Sequence, residues 1–298
     1  MSPLLGLRPS YFRMMLFLRQ FRAELLKMFA RKRTWMGFGA FFVLELIILS
    51  VFRLNGVQNV IQRNFQREAA GLGLIFADYF RGLTMAFTVM GATVFLLGCL
   101  FLALVGGDVV SKEAEDGTLR MTLCRPVSRF RLLMVKYLSC IVYTFVLVLF
   151  IGVSALLTGA IWRGVGGLFA FVPEERLVVL YSQSEGLARY AASIPLHAFS
   201  VLTITTMAFM FSCFNVKPAA ATVVTLAIFI ADWILRMMPQ FESYRHWFMT
   251  THMATWANIF RDPIPWERIA GDYMYLFGLN ATFLIVGYAV FSRRDFKS

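Results

Sequence analysis

Side chains equipped for chemistry are sparse in this sequence. Glu45, His197 and Asp232 each stand inside a long apolar run. An ionisable group is costly to bury in hydrocarbon, so such a residue marks a substrate, ion or proton site unless a partner holds it. Glu45 sits about 15 Å in from Trp35 at a helical rise of about 1.5 Å per residue, near the middle of its run. It has two readings, a substrate or proton site and a structural hydrogen bond within a bundle. Asp232 has Arg236 one helical turn further on, a spacing at which the two can pair. His197 has no second ligand three or four residues away, which favours a hydrogen-bonded core histidine over a metal ligand. Cys99, Cys124, Cys140 and Cys213 form no CxxC pair and support neither a disulfide framework nor a zinc site. There is no phosphate-binding GxxxxGK loop, no HExxH and no GxSxG, so the chain carries no ATPase, metalloprotease or serine-hydrolase motif of its own.

The other concentration of reactive types is a charged segment around residues 107 to 136, which mixes Lys112, Arg120 and Arg129 with Glu113, Glu115 and Asp116. Both signs interleaved at short range suit recognition of a partner surface, where complementary charge sets register and specificity. A solvated loop that only marks the basic side of a membrane does not need the acids.

The surrounding sequence is far more apolar than a soluble domain. It is 59% hydrophobic and 15% charged, against about 25% charged in ordinary soluble chains. A polytopic membrane protein is implied. The net charge of +12 does not indicate nucleic acid as a partner, because the basic residues lie between apolar runs rather than together on one polar face. The first long apolar run begins near Thr34, too far in for a cleaved secretory signal.

Six runs are long enough, at about 20 residues each, to cross a hydrocarbon core. They are residues 34 to 53, 83 to 106, 136 to 161, 190 to 213, 217 to 238 and 271 to 291. The fourth and fifth are joined only by a short hairpin in which Pro218 opens the second helix. Lys and Arg are denser in the segments on the side of the termini, which predicts that both termini and the charged segment are cytoplasmic. Residues 11 to 31 have helical periodicity. Tyr11, Met14, Leu18, Phe21 and Leu25 share one face and Arg13, Gln20, Glu24 and Lys27 the other, the pattern of a helix lying in the membrane interface. Residues 239 to 270, with Trp247, Trp256 and Trp266, predict one or two short helices at the outer leaflet, where Trp is favoured. The fold class expected is therefore an all-α membrane protein. It has one transmembrane domain, with segments 1 to 33 and 107 to 135 on the cytosolic side and 239 to 270 on the outer side.

Within the charged segment, span two has no breaker before Asp116-Gly117, a turn signal. Residues 118 to 123 make a short helix, Pro126 ends it by restricting the residue before it, and Ser128 N-caps the helix that becomes span three. Arg129, Arg131 and Lys136 are placed to snorkel to the head groups.

The stretch from Glu113 to Lys136 resembles the cytosolic segment of type-2 ABC transporter permeases. The matching positions are Glu113, Gly117, Thr118, Leu119, Arg120, Pro126, Val127, Ser128, Arg129 and Lys136, followed at a distance by the ending Phe291 to Lys297. The resemblance implies a coupling helix that docks into a separate ATP-hydrolysing subunit, with Glu113, Asp116, Gly117, Thr118, Leu119, Arg120, Met121, Pro126, Ser128 and Arg129 as the docking residues. It further implies a second permease copy, identical or similar, and ATP with Mg in the partner ATPase rather than any cofactor in this chain. The setting implied is the bacterial cytoplasmic membrane, with export or flipping of a substrate the sequence does not identify. The competing expectation is an ATP-independent transporter or channel that uses Glu45 and Asp232, against which no internal repeat is evident.

Overall fold

The computed structural model describes residues 9–52, 80–123, 128–172 and 177–294. Unbroken apolar stretches free of interior proline dictate most of its helices, and turn chemistry separates them. The order is α1 (Pro9–Phe29), α2 (Lys32–Val51), α3 (Gly82–Glu115), α4 (Thr118–Leu123) and α5 (Arg129–Arg163). An antiparallel hairpin of β1 (Leu168–Val172) and β2 (Leu177–Tyr181) follows. Then come α6 (Gln183–Ser212), α7 (Pro218–Met237), α8 (Met249–Met253) and α9 (Trp266–Arg293). Among the described residues, α2, α3, α5, α6, α7 and α9 are the six helices long and apolar enough to cross a membrane.

Helix α6 is the centre of the bundle, with 78% of its most apolar window buried, and it packs on α3, α5, α7 and α9. Part of that contact is polar. Tyr137 and Thr144 of α5 meet Thr206 and Thr205 of α6 at 3.2 and 2.9 Å, bonds of a kind that contributes about 0.6 kcal/mol each between helices in lipid. Adjacent glycines let α3 close on two neighbours at once. A Cβ on Gly106 would lie 2.6 Å from the Thr205 carbonyl of α6, and one on Gly107 would lie 2.8 Å from Thr222 Oγ1 of α7.

Helix α3 is continuous but carries a π-turn at Val94–Gly98. Its first half packs on α5 and its second half on α6 and α7. The bundle has two distinct ends. A basic end gathers α1, α4, the start of α5 and the close of α9. A capped end carries the hairpin and the 239 to 265 segment.

Three features depart from the sequence expectation. The hairpin lies between the third and fourth predicted runs, where five-residue apolar strands are too short to register against 20-residue spans; Phe169 N–H anchors it to Thr84 Oγ1 of α3 at 2.8 Å. Helix α1 forms, and Met14, Met15 and Leu18 are exposed, but Glu24 and Lys27 of its polar face turn into the bundle. Of the 239 to 260 segment, only the 3₁₀ turn Pro239–Trp247 lies wholly on the surface. α8 and the second 3₁₀ turn, Ala254–Phe260, plug the bundle with buried Met249, Met253, Ala257 and Phe260.

Candidate functional site

The charged segment begins where α3 stops. Gly117 adopts φ 72°, the left-handed conformation that only glycine takes without strain and that commonly ends helices. α4 leaves this turn. Thr118 Oγ1 donates to the Glu113 carbonyl at 3.3 Å, Leu119 is fully buried as the anchor, and Met121 stands 67% exposed at the tip. Asp116, at the C-cap of α3, is exposed. Arg120 lies on α4, and its side chain and Pro126 fall outside the described residues. Ser128 caps α5 by accepting from Arg131 N–H at 3.3 Å. Arg129 reaches the far end of the chain, donating to the carbonyls of Ser292 and Arg294 at 2.8 and 2.9 Å. A cation there complements the exposed carbonyls and negative dipole end of α9.

Behind the turn is a cluster that sequence reasoning missed. Lys136 is 2% exposed and lies 2.8 Å from Glu113 Oε2 and 2.7 Å from Glu24 Oε1; Lys27 also pairs with Glu113. Helices α1, α3 and α5 are thereby joined through side chains alone. Buried ions must be paired, and removing one partner leaves an uncompensated charge. Two expectations are corrected here. Lys136 does not snorkel, since it is enclosed by two carboxylates, and Glu113 faces the cluster rather than a docking surface. A signal was present, because Glu24 is the one acid of α1 and Lys136 lies two turns past the start of α5.

The two intramembrane acids differ. Glu45 is fully buried on the stripe Phe41, Glu45, Leu49 of α2. Its Oε1 accepts from Ser154 Oγ of α5 at 2.8 Å, and its Oε2 has no hydrogen-bond partner among the described residues. Asp232 is a structural clamp, accepting from Met249 N–H at 3.2 Å and Thr250 N–H at 2.8 Å. Arg236 grips the same turn from the other side by donating to the Thr250 carbonyl at 2.6 Å.

Polar side chains at the capped end follow that pattern. Arg189 of α6 donates to the carbonyls of Ile259 and Arg261 at 2.9 and 2.7 Å. His252 has Nδ1 2.8 Å from Asp272 Oδ1 and Nε2 2.9 Å from the His246 carbonyl. Both ring nitrogens face acceptors, which suits the doubly protonated imidazolium. Burial pulls the His252 pKa down, but the bonds to Asp272 and the His246 carbonyl outweigh it and hold the pKa above the usual histidine value. Among the described residues, no group of three His, Cys, Asp or Glu is placed to hold a metal ion.

Six membrane-length helices, two organised ends and a buried charge cluster define a multi-pass helical protein of the membrane type. A family model described as a protein of unknown function, DUF2705, matches residues 56–297, and the chain belongs to that family. An uncharacterized protein of Bacillus subtilis (strain 168), YhcI, is 29% identical over 122 residues, which is 39% of this chain. The match spans 38% of that relative's length. These matches overturn the family resemblance drawn from the motif, because the family whose model covers the chain is DUF2705 and not the type-2 ABC permeases. The physical reason lies in the motif itself. A left-handed glycine, a serine N-cap and a flanking cation are what any helix, turn and helix beneath a membrane surface requires, so their spacing reports local structure rather than descent.

Proposed function

We propose that this chain is the membrane subunit of a transport system driven by ATP hydrolysis in a separate cytosolic subunit, with α4 as the element that receives the motion. The observation that carries the reading is the mounting of α4. A six-residue helix with Met121 67% exposed is set on a turn whose two neighbouring helices are bound to each other by Lys136 and Glu113 at 2.8 Å. A push on α4 therefore reaches α3 and α5 together, and through Lys27 and Glu24 it reaches α1. On this reading the basic end faces the cytoplasm of a bacterial cell and α1 lies along the inner face of its membrane. ATP and Mg belong to the partner, and a second copy of a membrane subunit completes the path.

The test is to purify the chain from its native membrane in mild detergent, identify co-purifying proteins by mass spectrometry and assay ATP hydrolysis. Recovery of a subunit with a phosphate-binding loop is expected, with ATPase coupling lost in Gly117→Val and Arg120→Glu while membrane insertion is kept. A β-branched residue at the left-handed position costs about 1–2 kcal/mol, enough to displace α4 without unfolding the bundle. Normal transport in both variants, or recovery of the chain alone with no hydrolysis, sinks the proposal. That second outcome favours an ATP-independent transporter, for which Glu45, whose Oε2 has no hydrogen-bond partner among the described residues, is the coupling group; Asp232 is taken up by the cap.

A further inference from the structure

Between the first half of α3 and α7 the bundle opens. α7 packs closely along the second half of α3 and parts from it beyond the π-turn. Where they part, Phe95 within that turn still touches Phe229 and Trp233 of α7 at ring distances of 5.8 and 5.4 Å. Beside this contact lies a cavity of about 350 Å³, within the range of small-molecule sites. α6 supplies the back wall with His197 and Val201, and α8 with the following 3₁₀ turn supplies the roof. The α3 wall runs from Phe87 to Cys99, about 18 Å at the helical rise, so the space is a slot drawn out along the helices. Gly91 and Ala92 leave it hollow between the rings of Phe87 and Phe95. Thr88 and Phe95 are exposed on α3, and the slot opens sideways between two membrane-length helices.

The polar groups of the lining are taken or turned away. Arg236 donates to the Thr250 carbonyl at 2.6 Å, and Thr88 Oγ1 to the Thr84 carbonyl at 2.9 Å. His197 Nδ1, Trp233 Nε1 and Thr250 Oγ1 are enclosed by protein and present no surface to the slot. What faces an occupant is mostly carbon, above all the rings of Phe87, Phe95, Phe229, Trp233 and Trp256. Water is held in a cavity by two to four polar partners, and apolar cavities stay dry. An empty slot costs its lining atoms their dispersion contacts. Hydrocarbon meets neither obstacle, and the opening adjoins it. Thr88 lies ~9 Å from the start of α3 at Gly82 and Trp233 ~6 Å from the end of α7 at Met237, within the membrane-length part of both helices. A drawn-out slot suits a linear chain better than a compact ring system.

We infer that this cleft holds a linear acyl chain of a membrane lipid, which enters sideways at the capped end while the polar end of the lipid stays at the membrane surface. Recognition is by shape, without a charge or a hydrogen bond. The site requires only that α3 and α7 cross a membrane, so it stands or falls separately from ATP coupling.

The experiment places the full chain in nanodiscs of diphytanoyl phosphatidylcholine, whose methyl-branched tails suit a slot poorly. Tryptophan fluorescence is followed during titration with two heavy-atom quenchers of unlike shape, 1-bromododecane and 1-bromoadamantane. Saturable quenching by 1-bromododecane is expected on top of the linear rise that partition into lipid gives, and 1-bromoadamantane should show the linear rise alone. Gly91→Phe fills the hollow and should remove the saturable part. A Cβ at Gly91 meets only the Trp256 ring, at 3.7 Å, so Gly91→Ala is the control and should keep it. Trp233→Phe keeps a ring and removes the indole N–H, with Trp256 still reporting, and should leave the affinity unchanged. A loss of about tenfold there, the size of a hydrogen bond to a charged group, means a polar occupant and overturns the proposal. Linear quenching by 1-bromododecane in the unaltered chain overturns it too, whether partition alone is responsible or a second copy covers the opening. So does saturation that survives Gly91→Phe or that 1-bromoadamantane matches. If Gly91→Phe fails to fold, the comparison of the two probes in the unaltered chain decides.

Discussion

The Lys136 cluster and the cap over the other end both bury ionised side chains, yet they use them oppositely. At the basic end two lysines and two glutamates, contributed by α1, α3 and α5, bind one another. At the capped end Asp232, Arg236 and Arg189 bind main-chain amides and carbonyls of a short irregular segment. Side chains bound to side chains tie whole helices together and leave each helix its own backbone bonds. Side chains bound to backbone replace the hydrogen bonds that an irregular segment lacks, and so fix its conformation. One arrangement transmits displacement between helices, and the other holds a lid in a single shape.

The sharpest way to break this contrast is Lys136→Met, which leaves Glu113 and Glu24 buried without their shared cation. A loss of about 3–5 kcal/mol is expected, seen as a large fall in the thermal midpoint, and pairing the change with Glu113→Gln should restore part of it. A neutral Lys136→Met would show that the cluster is solvated and does not join the helices. At the other end, Asp232→Asn replaces two charge-assisted bonds to amides and should cost about 1.5–3 kcal/mol. The loss should be local: hydrogen exchange at Met249 and Thr250 rises while α3 and α5 keep their protection. Global loss of protection instead would erase the distinction between the two ends.

The smallest effect expected is the pH response of His252. Its folded pKa is raised above an ordinary value of about 6.5. Its stabilising share is therefore complete below that ordinary value and is lost as pH rises through the folded pKa. Protection factors of residues 246 to 253, corrected for the intrinsic rise of amide exchange with pH, should fall from pH 6 to 9 in the unaltered chain and stay flat in His252→Gln. A flat profile in both would mean that the imidazole is neutral throughout.

How legible these regions were follows from the range of their interactions. The six spans were plain because each is written in one continuous run, and the turn at Asp116-Gly117 because glycine at a left-handed position is a local requirement. The α3 boundary extends to Glu115, as the lack of any breaker before Asp116 indicated. The Lys136 cluster was hidden because its members stand at positions 24, 27, 113 and 136, and nothing local in a lysine says whether it will point to lipid head groups or to a glutamate 112 residues away. Asp232 stands one helical turn from Arg236, as spacing shows; it also clamps a turn 17 residues further on, a partner that spacing cannot offer. The cleft was invisible because it depends on where α7 parts from α3, which follows from a backbone irregularity that apolar composition does not encode.

That irregularity makes span length a different quantity from span composition. A π-turn holds one residue more than the α-helical turn it replaces, which rotates everything after it by about 100° relative to everything before it. The face of α3 that meets α5 before Val94 is thus not the face that meets α6 and α7 after Gly98. Most substitutions along such a helix change one contact and leave the rest in phase. Deleting one residue between 94 and 98 would put half of the span out of phase with its neighbours, so the chain has to keep count there as well as keep its apolar character.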